Sequence, residues 1–226
     1  MWLFKLARNG YFWAMLRIAV ISFCILFAYS SSAKPQKIKI KTEYGNIVLV
    51  LYENTPLNSG NMVQRANEHF YDSLLFHRCI PNFVIQGGDP DSKHAKSGQL
   101  LGDGDLPFLV KAEINEENFH KRGALGVARD NTPDKSGSAA QFYIVVGKKY
   151  TDNELDSVSL KTGRKFTEFQ RNTYKSFGGT PKLDGNYTVF GEVKRGMKIV
   201  DKISLQDRDK NDRPIKDIRI KKVRSH

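Results

Sequence analysis

The residues most able to do chemistry lie in one run: Phe76-His77-Arg78-Cys79-Ile80-Pro81-Asn82-Phe83-Val84-Ile85-Gln86-Gly87-Gly88-Asp89. On a strand, Arg78 shares a face with Phe76 and Ile80. An arginine there is either solvated or set beside apolar surface, where it would serve as a rigid, permanently charged donor. Two more clusters follow. Gly123-Ala124-Leu125-Gly126-Val127-Ala128-Arg129 leads through a loop to Gly137-Ser138-Ala139-Ala140-Gln141-Phe142-Tyr143-Ile144, and Leu183-Asp184-Gly185-Asn186-Tyr187-Thr188-Val189-Phe190-Gly191 comes later. Cys79 sits in a strand-like apolar run and reads as a buried thiol, not a nucleophile. Its only companion, Cys24, lies in the N-terminal segment.

Other chemistries lack their signatures. There is no G-x-S-x-G, no H-E-x-x-H and no phosphate-binding G-x-x-x-x-G-K-[ST]. Gly102-Asp103-Gly104 lacks the third glycine of a dinucleotide fingerprint. His69, His77, His94, His120 and His226 show no metal-ligand spacing with one another or with cysteine, so no metal and no cofactor is expected. Asn186-Tyr187-Thr188 matches a glycosylation sequon, a pattern short enough to arise by chance.

The elements that must position these clusters are mostly short strands. Lys37–Lys41 alternates with period two, Tyr44-Gly45-Asn46 is a turn, and Ile47–Tyr52 is a more apolar strand, together a hairpin. Thr55-Pro56 opens a helix, with Thr55 as N-cap, that runs to about Glu68. Further strands are predicted at 74–80, 83–86, 123–128, 141–146, 188–193 and 215–223. A polar loop occupies 87–107, and an amphipathic helix Arg195–Leu205. Thr151-Asp152-Asn153-Glu154 is a capping box, and Glu168–Tyr174 is charged and helical. Segment 148–181 therefore reads as a surface insertion of short helices, not a second domain. Many short strands and two main helices predict an antiparallel barrel or sandwich, with terminal strands able to pair.

Residues 1–33 differ in character. Lys5, Arg8 and Arg17 precede an apolar run, Ile18–Tyr29, that is followed by Ser30-Ser31-Ser32-Ala33; Arg17 interrupts the longer stretch Tyr11–Tyr29. This is the pattern of a secretory signal peptide cleaved after Ala33; the alternative is a retained membrane anchor. Cleavage removes three basic residues and no acid from a net charge of +12, leaving +9. Acidic residues are interleaved with the remaining basic ones, and Arg219–Arg224 reads as a strand with a solvated basic face. No nucleic-acid partner is expected.

Taken in order, the three clusters closely resemble the cyclophilin family of peptidyl-prolyl cis-trans isomerases, over nearly all of 36–224. F-H-R followed by P-x-F-x-x-Q-G-G-D carries most of the likeness, and S-x-x-Q-F-Y-I and L-D-G-x-Y-T-V-F-G support it. The insertion and the Gly178-Gly179-Thr180-Pro181 after it resemble the larger secreted bacterial members. The resemblance implies a mainly β fold: an eight-stranded antiparallel closed barrel capped by two helices. It implies catalytic roles for Arg78 and Gln86. Phe83, Val84, Tyr143 and Leu183 would form the floor and walls of a proline pocket, with His77 as a polar site residue. Ala128 and Arg129 would pair with substrate backbone, Gln141 would face them, and Tyr187 would lie on the rim. Tyr143 stands where phenylalanine is usual, and Val84 where methionine is common. Lys182 replaces a tryptophan important for cyclosporin in some eukaryotic members, so weak binding of that drug is expected.

Such an enzyme would bind proline-containing polypeptides, need no cofactor, act as a monomer and touch a membrane only through a retained N-terminus. The expected setting is the bacterial periplasm, where it would assist the folding of exported proteins. A binding module that holds proline segments without turnover is the alternative, and a membrane-surface protein using its basic charge is a second.

Overall fold

The computed structural model describes residues 36–226. The signal or anchor expected at 1–33 lies outside them. Among the described residues are ten strands and four α-helices. In chain order these are β1 (Lys37–Thr42), β2 (Asn46–Leu51), α1 (Pro56–Asn67), β3 (Phe76–Cys79), β4 (Val84–Gly87), β5 (Leu109–Val110), β6 (Ala124–Val127), β7 (Gly137–Ser138), β8 (Phe142–Val145), α2 (Asp152–Thr162), α3 (Glu168–Ser176), β9 (Val189–Arg195), α4 (Met197–Ser204) and β10 (Ile220–Ser225).

Eight strands form one antiparallel sheet in the order β10-β1-β2-β9-β6-β8-β4-β3. Its two edges then meet. Ser73 N–H donates to Ile220 O at 2.8 Å, Ile220 N–H to Leu74 O at 2.8 Å, and Phe76 N–H to Ile218 O at 2.9 Å. The sheet is thus closed into a barrel and leaves no long edge exposed. The terminal strands do pair, β1 with β10, as the sequence pattern predicts. The final strand begins at Ile220 instead of near 215.

The central strands read as unbroken apolar runs because both of their faces are covered. In β8, Phe142 and Ile144 join the barrel interior, while Tyr143 and Val145 join a second apolar cluster on the opposite face. Val84 and Ile85 of β4, and Val189 and Phe190 of β9, divide in the same way. The interior also takes Met62 and Ala66 from α1 and Val200 and Ile203 from α4, which binds both helices to the barrel.

Helix α1 begins where Thr55-Pro56 places it, but Thr55 does not cap it. Its hydroxyl is buried and donates to Tyr52 O at 3.2 Å. The Glu113 carboxylate does the capping from a distant loop, accepting Leu57 N–H at 3.0 Å and Asn58 N–H at 2.9 Å. In the insertion, Thr151 and Thr167 each form a complete capping box, with Glu154 and Gln170. The polar loop after β4 contains a short 3₁₀ turn, Pro90–His94, capped by the Asp89 side chain at Asp91 N–H.

Candidate active site

The strand registers line up one row of side chains across four strands. Arg78 on β3 pairs with Gln86 on β4, Gln86 with Tyr143 on β8, and Tyr143 with Gly126 on β6. Partners opposite one another in an antiparallel ladder project to the same face. A Cβ at Gly126 would overlap the end of the Tyr143 ring, so the missing side chain there makes room for the phenol. Adjacent strands lie about 4.8 Å apart, which sets Arg78 and Tyr143 at opposite sides of a notch roughly 10 Å wide.

That notch is a cavity of about 280 Å³. It is lined by Arg78, His77, Phe83, Val84, Gln86, Ala128, Arg129, Tyr143, Leu183 and Tyr187, ten of the eleven residues singled out from sequence. Gln141, the eleventh, lines an adjoining cleft with Gln86, Ala128 and Arg129. Phe83 enters from the turn before β4, where Asn82 adopts φ 60°, a left-handed conformation that asparagine tolerates. Leu183 ends a short 3₁₀ turn, Pro181–Leu183.

Arg78 is 41% exposed at its side chain, and its guanidinium carbon lies 5.9 Å from the Phe83 ring centroid. Asp212 is 3.9 Å from its Nε, a loose contact. The guanidinium therefore keeps donors free at the edge of an apolar floor. Lys182 lies over the same Phe83 ring, Nζ 4.2 Å from the centroid. His77 is buried, and both of its ring nitrogens lack a partner among the described residues. Burial lowers its pKa to about 4, against an opposing pull from Asp89, so the imidazole is neutral at neutral pH. Burial likewise raises the Tyr143 phenol well above its usual value, keeping it protonated.

Gln86 does not reach Arg78. It donates to Gln141 Oε1 at 2.9 Å, and Gln141 in turn donates to Gly102 O at 2.8 Å and Gly104 O at 2.6 Å. The two glutamines thus clamp the 102–104 loop over the cleft. Asp89 holds the same loop through Gly102 N–H at 2.5 Å. Ala128 is also committed internally: its N–H donates to Gln141 O at 3.1 Å and its C=O accepts from Ser138 N–H at 2.8 Å. Any strand addition by substrate at this point falls to the Arg129 backbone, whose N–H and C=O have no partner among the described residues. The Arg129 side chain lies over Tyr187, 4.8 Å from its centroid, and its Nε donates to Asn186 O at 2.8 Å.

Sequence reading missed two contributors to the cavity wall, the segment 99–103 and the residues Asp209, Asn211 and Arg213. Neither has a local signature. Barrel closure brings the second to the site, because Cys79 N–H donates to Asp212 O at 2.9 Å and draws that loop against β3. It also missed a buried group behind the wall: His120, Asp184 and Tyr174.

A closed eight-stranded barrel carrying an outward-facing apolar notch with a free arginine at its rim defines a cyclophilin-type fold and site. The chain belongs to that family: residues 37–225 match cyclophilin type peptidyl-prolyl cis-trans isomerase/CLD. It is a peptidyl-prolyl cis-trans isomerase by that membership. It is 31% identical over 190 residues to the peptidyl-prolyl cis-trans isomerase cypE of Dictyostelium discoideum, covering 83% of this chain and 96% of that one. A Streptococcus pyogenes protein whose description pairs a phosphatase with a peptidyl-prolyl cis-trans isomerase is 33% identical over 83% of this chain. The match spans only 38% of that longer protein. Among solved structures, a Cryptosporidium parvum cyclophilin crystallised in the presence of the dipeptide Ala-Pro matches with a TM-score of 0.59 at 25% identity, over 84% of this chain and 98% of that one.

Proposed function

We propose that this isomerase speeds rotation about X-Pro bonds in exported proteins and so assists their folding outside the cytoplasm. Amide resonance makes the uncatalysed barrier about 20 kcal/mol. A 10⁵-fold acceleration needs roughly 7 kcal/mol of transition-state stabilisation. No covalent bond is made, so neither nucleophile nor metal is called for.

The placement of Arg78 carries this reading. In the twisted state the prolyl nitrogen leaves resonance and its lone pair becomes an acceptor. The Arg78 guanidinium, free at the rim, donates to it more strongly than in the planar ground state, which is the condition for raising the rate. Phe83, Val84, Tyr143 and Leu183 hold the ring and exclude water, strengthening that bond. Neutral His77 lies in the cavity wall, with both ring nitrogens buried and unpartnered among the described residues. Arg129 supplies main-chain pairing to the residues before it.

The test is a protease-coupled isomerisation assay on a short X-Pro-Phe peptide at about 10 °C, where the uncatalysed exchange takes minutes. Arg78→Ala is expected to lower kcat/KM by about 10²-fold or more. A folded wild-type chain that gives no acceleration leaves a proline-binding module in its place. Export is tested separately by fractionating the producing cells and sequencing the N-terminus. A chain beginning at Lys34 outside the cytoplasm supports it, and an unprocessed cytoplasmic chain overturns it.

A further inference from the structure

Behind the Tyr143 wall a buried polar chain runs out to the insertion. Tyr143 Oη lies 2.8 Å from His120 Nε2, His120 Nδ1 lies 2.7 Å from Asp184 Oδ1, and Tyr174 Oη donates to Asp184 Oδ2 at 2.6 Å. The same carboxylate accepts the His120 main-chain N–H at 2.8 Å. None of the four residues is more than 4% exposed. A carboxylate only accepts, so in the tautomer that satisfies every contact His120 donates from Nδ1 to Asp184 and its Nε2 accepts the Tyr143 hydroxyl. Every hydrogen bond in the chain then has one direction, and Asp184 is where the two ends meet.

Backbone geometry is shaped around this chain at two points. Gly126 leaves space for the Tyr143 ring, as noted. A Cβ at Gly179 would overlap the His120 carbonyl oxygen and approach the Tyr174 ring to 2.5 Å. The residues joined come from separate elements. Tyr174 belongs to α3 of the insertion, Asp184 follows the turn that supplies Leu183 to the pocket, and His120 precedes β6. A phenylalanine ring in the Tyr143 position would be held by packing alone. The tyrosine is held at its far end by a directional bond whose acceptor is itself fixed, and fully satisfied buried networks of this kind rigidify what they hold.

We propose that Tyr174, Asp184 and His120 are positioning residues that set the angle of the Tyr143 ring in the proline pocket, so that the inserted helix α3 tunes turnover from outside the site. This rests on the reading of the cavity as the proline site.

A double-mutant cycle on the full-length chain tests it. Tyr174→Phe and Tyr143→Phe each remove one hydroxyl, alone and together, with Asn172→Ala on the exposed side of α3 as control. Turnover per folded molecule and the affinity for an Ala-Pro-Phe peptide are both measured. Tyr174→Phe is expected to lower kcat about fivefold with a smaller change in KM. In the Tyr143→Phe background it should change neither kcat nor affinity, while Asn172→Ala matches wild type. Independent, multiplying effects overturn the proposal. So does a Tyr174→Phe variant that lowers the melting temperature while leaving kcat and affinity at wild-type values. A folded but inactive wild type sinks the isomerase reading instead, and the same cycle, read on peptide affinity alone, then decides the relay.

Discussion

At the scale of single residues, neighbours on one short strand have opposite fates. Arg78 is half-exposed with donors to spare, whereas His77 is buried with neither ring nitrogen partnered. Burial is what lowers the His77 pKa from 6.5 to about 4. The unfolded chain therefore binds a proton that the folded chain refuses between those two values. The stabilising effect of a neutral His77 is complete above about pH 6.5 and is lost as pH falls toward 4, a span worth about 3 kcal/mol. Thermal melts from pH 7 to pH 4 should show this decline, and His77→Leu should flatten it. Gln141 offers a second check. Gln141→Ala frees Gln86 and releases the Gly102 and Gly104 carbonyls together, and the loosened loop should raise KM about tenfold with a smaller effect on kcat. The eleven residues that line the cavity and its adjoining cleft were legible because their types and spacing carry the family pattern. His120 and Tyr174 were not, since a lone histidine and tyrosine have no signature until a fold brings them within hydrogen-bond reach, and Asp184, though inside the L-D-G motif, shows its partners only there.

At the scale of elements, local rules worked where local groups satisfy the chain ends. Both insertion helices begin at a capping box written in four consecutive residues, and both boxes are made. Helix α1 obeys a different logic. Thr55 is the right residue in the right place, yet it is buried among Tyr52 and Ser59 and turns its hydroxyl to them. Glu113, more than fifty residues away, takes the orphan amides. Glu113→Ala should cost about 1–2 kcal/mol in chemical denaturation, with activity per folded molecule little changed. An unchanged midpoint would show that water replaces the carboxylate without loss. The 3₁₀ turn at Pro90–His94 and the small β5–β7 pair were read as loop for a related reason: each is too short for a periodicity to show.

At the scale of the whole molecule, closure of the barrel is the decisive event. It seals Cys79 inside, 0% exposed, where burial raises the thiol pKa far above its ordinary value. An aromatic disulfide reagent should therefore modify Cys79 no faster than the barrel opens, with a rate equal to that of global unfolding. Faster labelling at neutral pH would mean that the β3 and β10 edges part locally. The same closure carries residues 209–213 to the rim of the cavity, which no reading of that stretch alone foresees.

The sequence by itself determined the eight barrel strands, the hairpin, the insertion helices and ten of the residues that line the cavity. Period-two patterns, capping boxes and motif spacing are properties of neighbours along the chain. Tertiary structure alone decided which face of each apolar strand turned inward and which turned to the site, because a run apolar on both faces has no inherent polarity. It alone aligned Arg78, Gln86, Tyr143 and Gly126 in one row, since ladder register is a relation between strands. And it alone joined Tyr174 to Tyr143, because hydrogen bonds between residues far apart in sequence exist only once packing has brought their elements together.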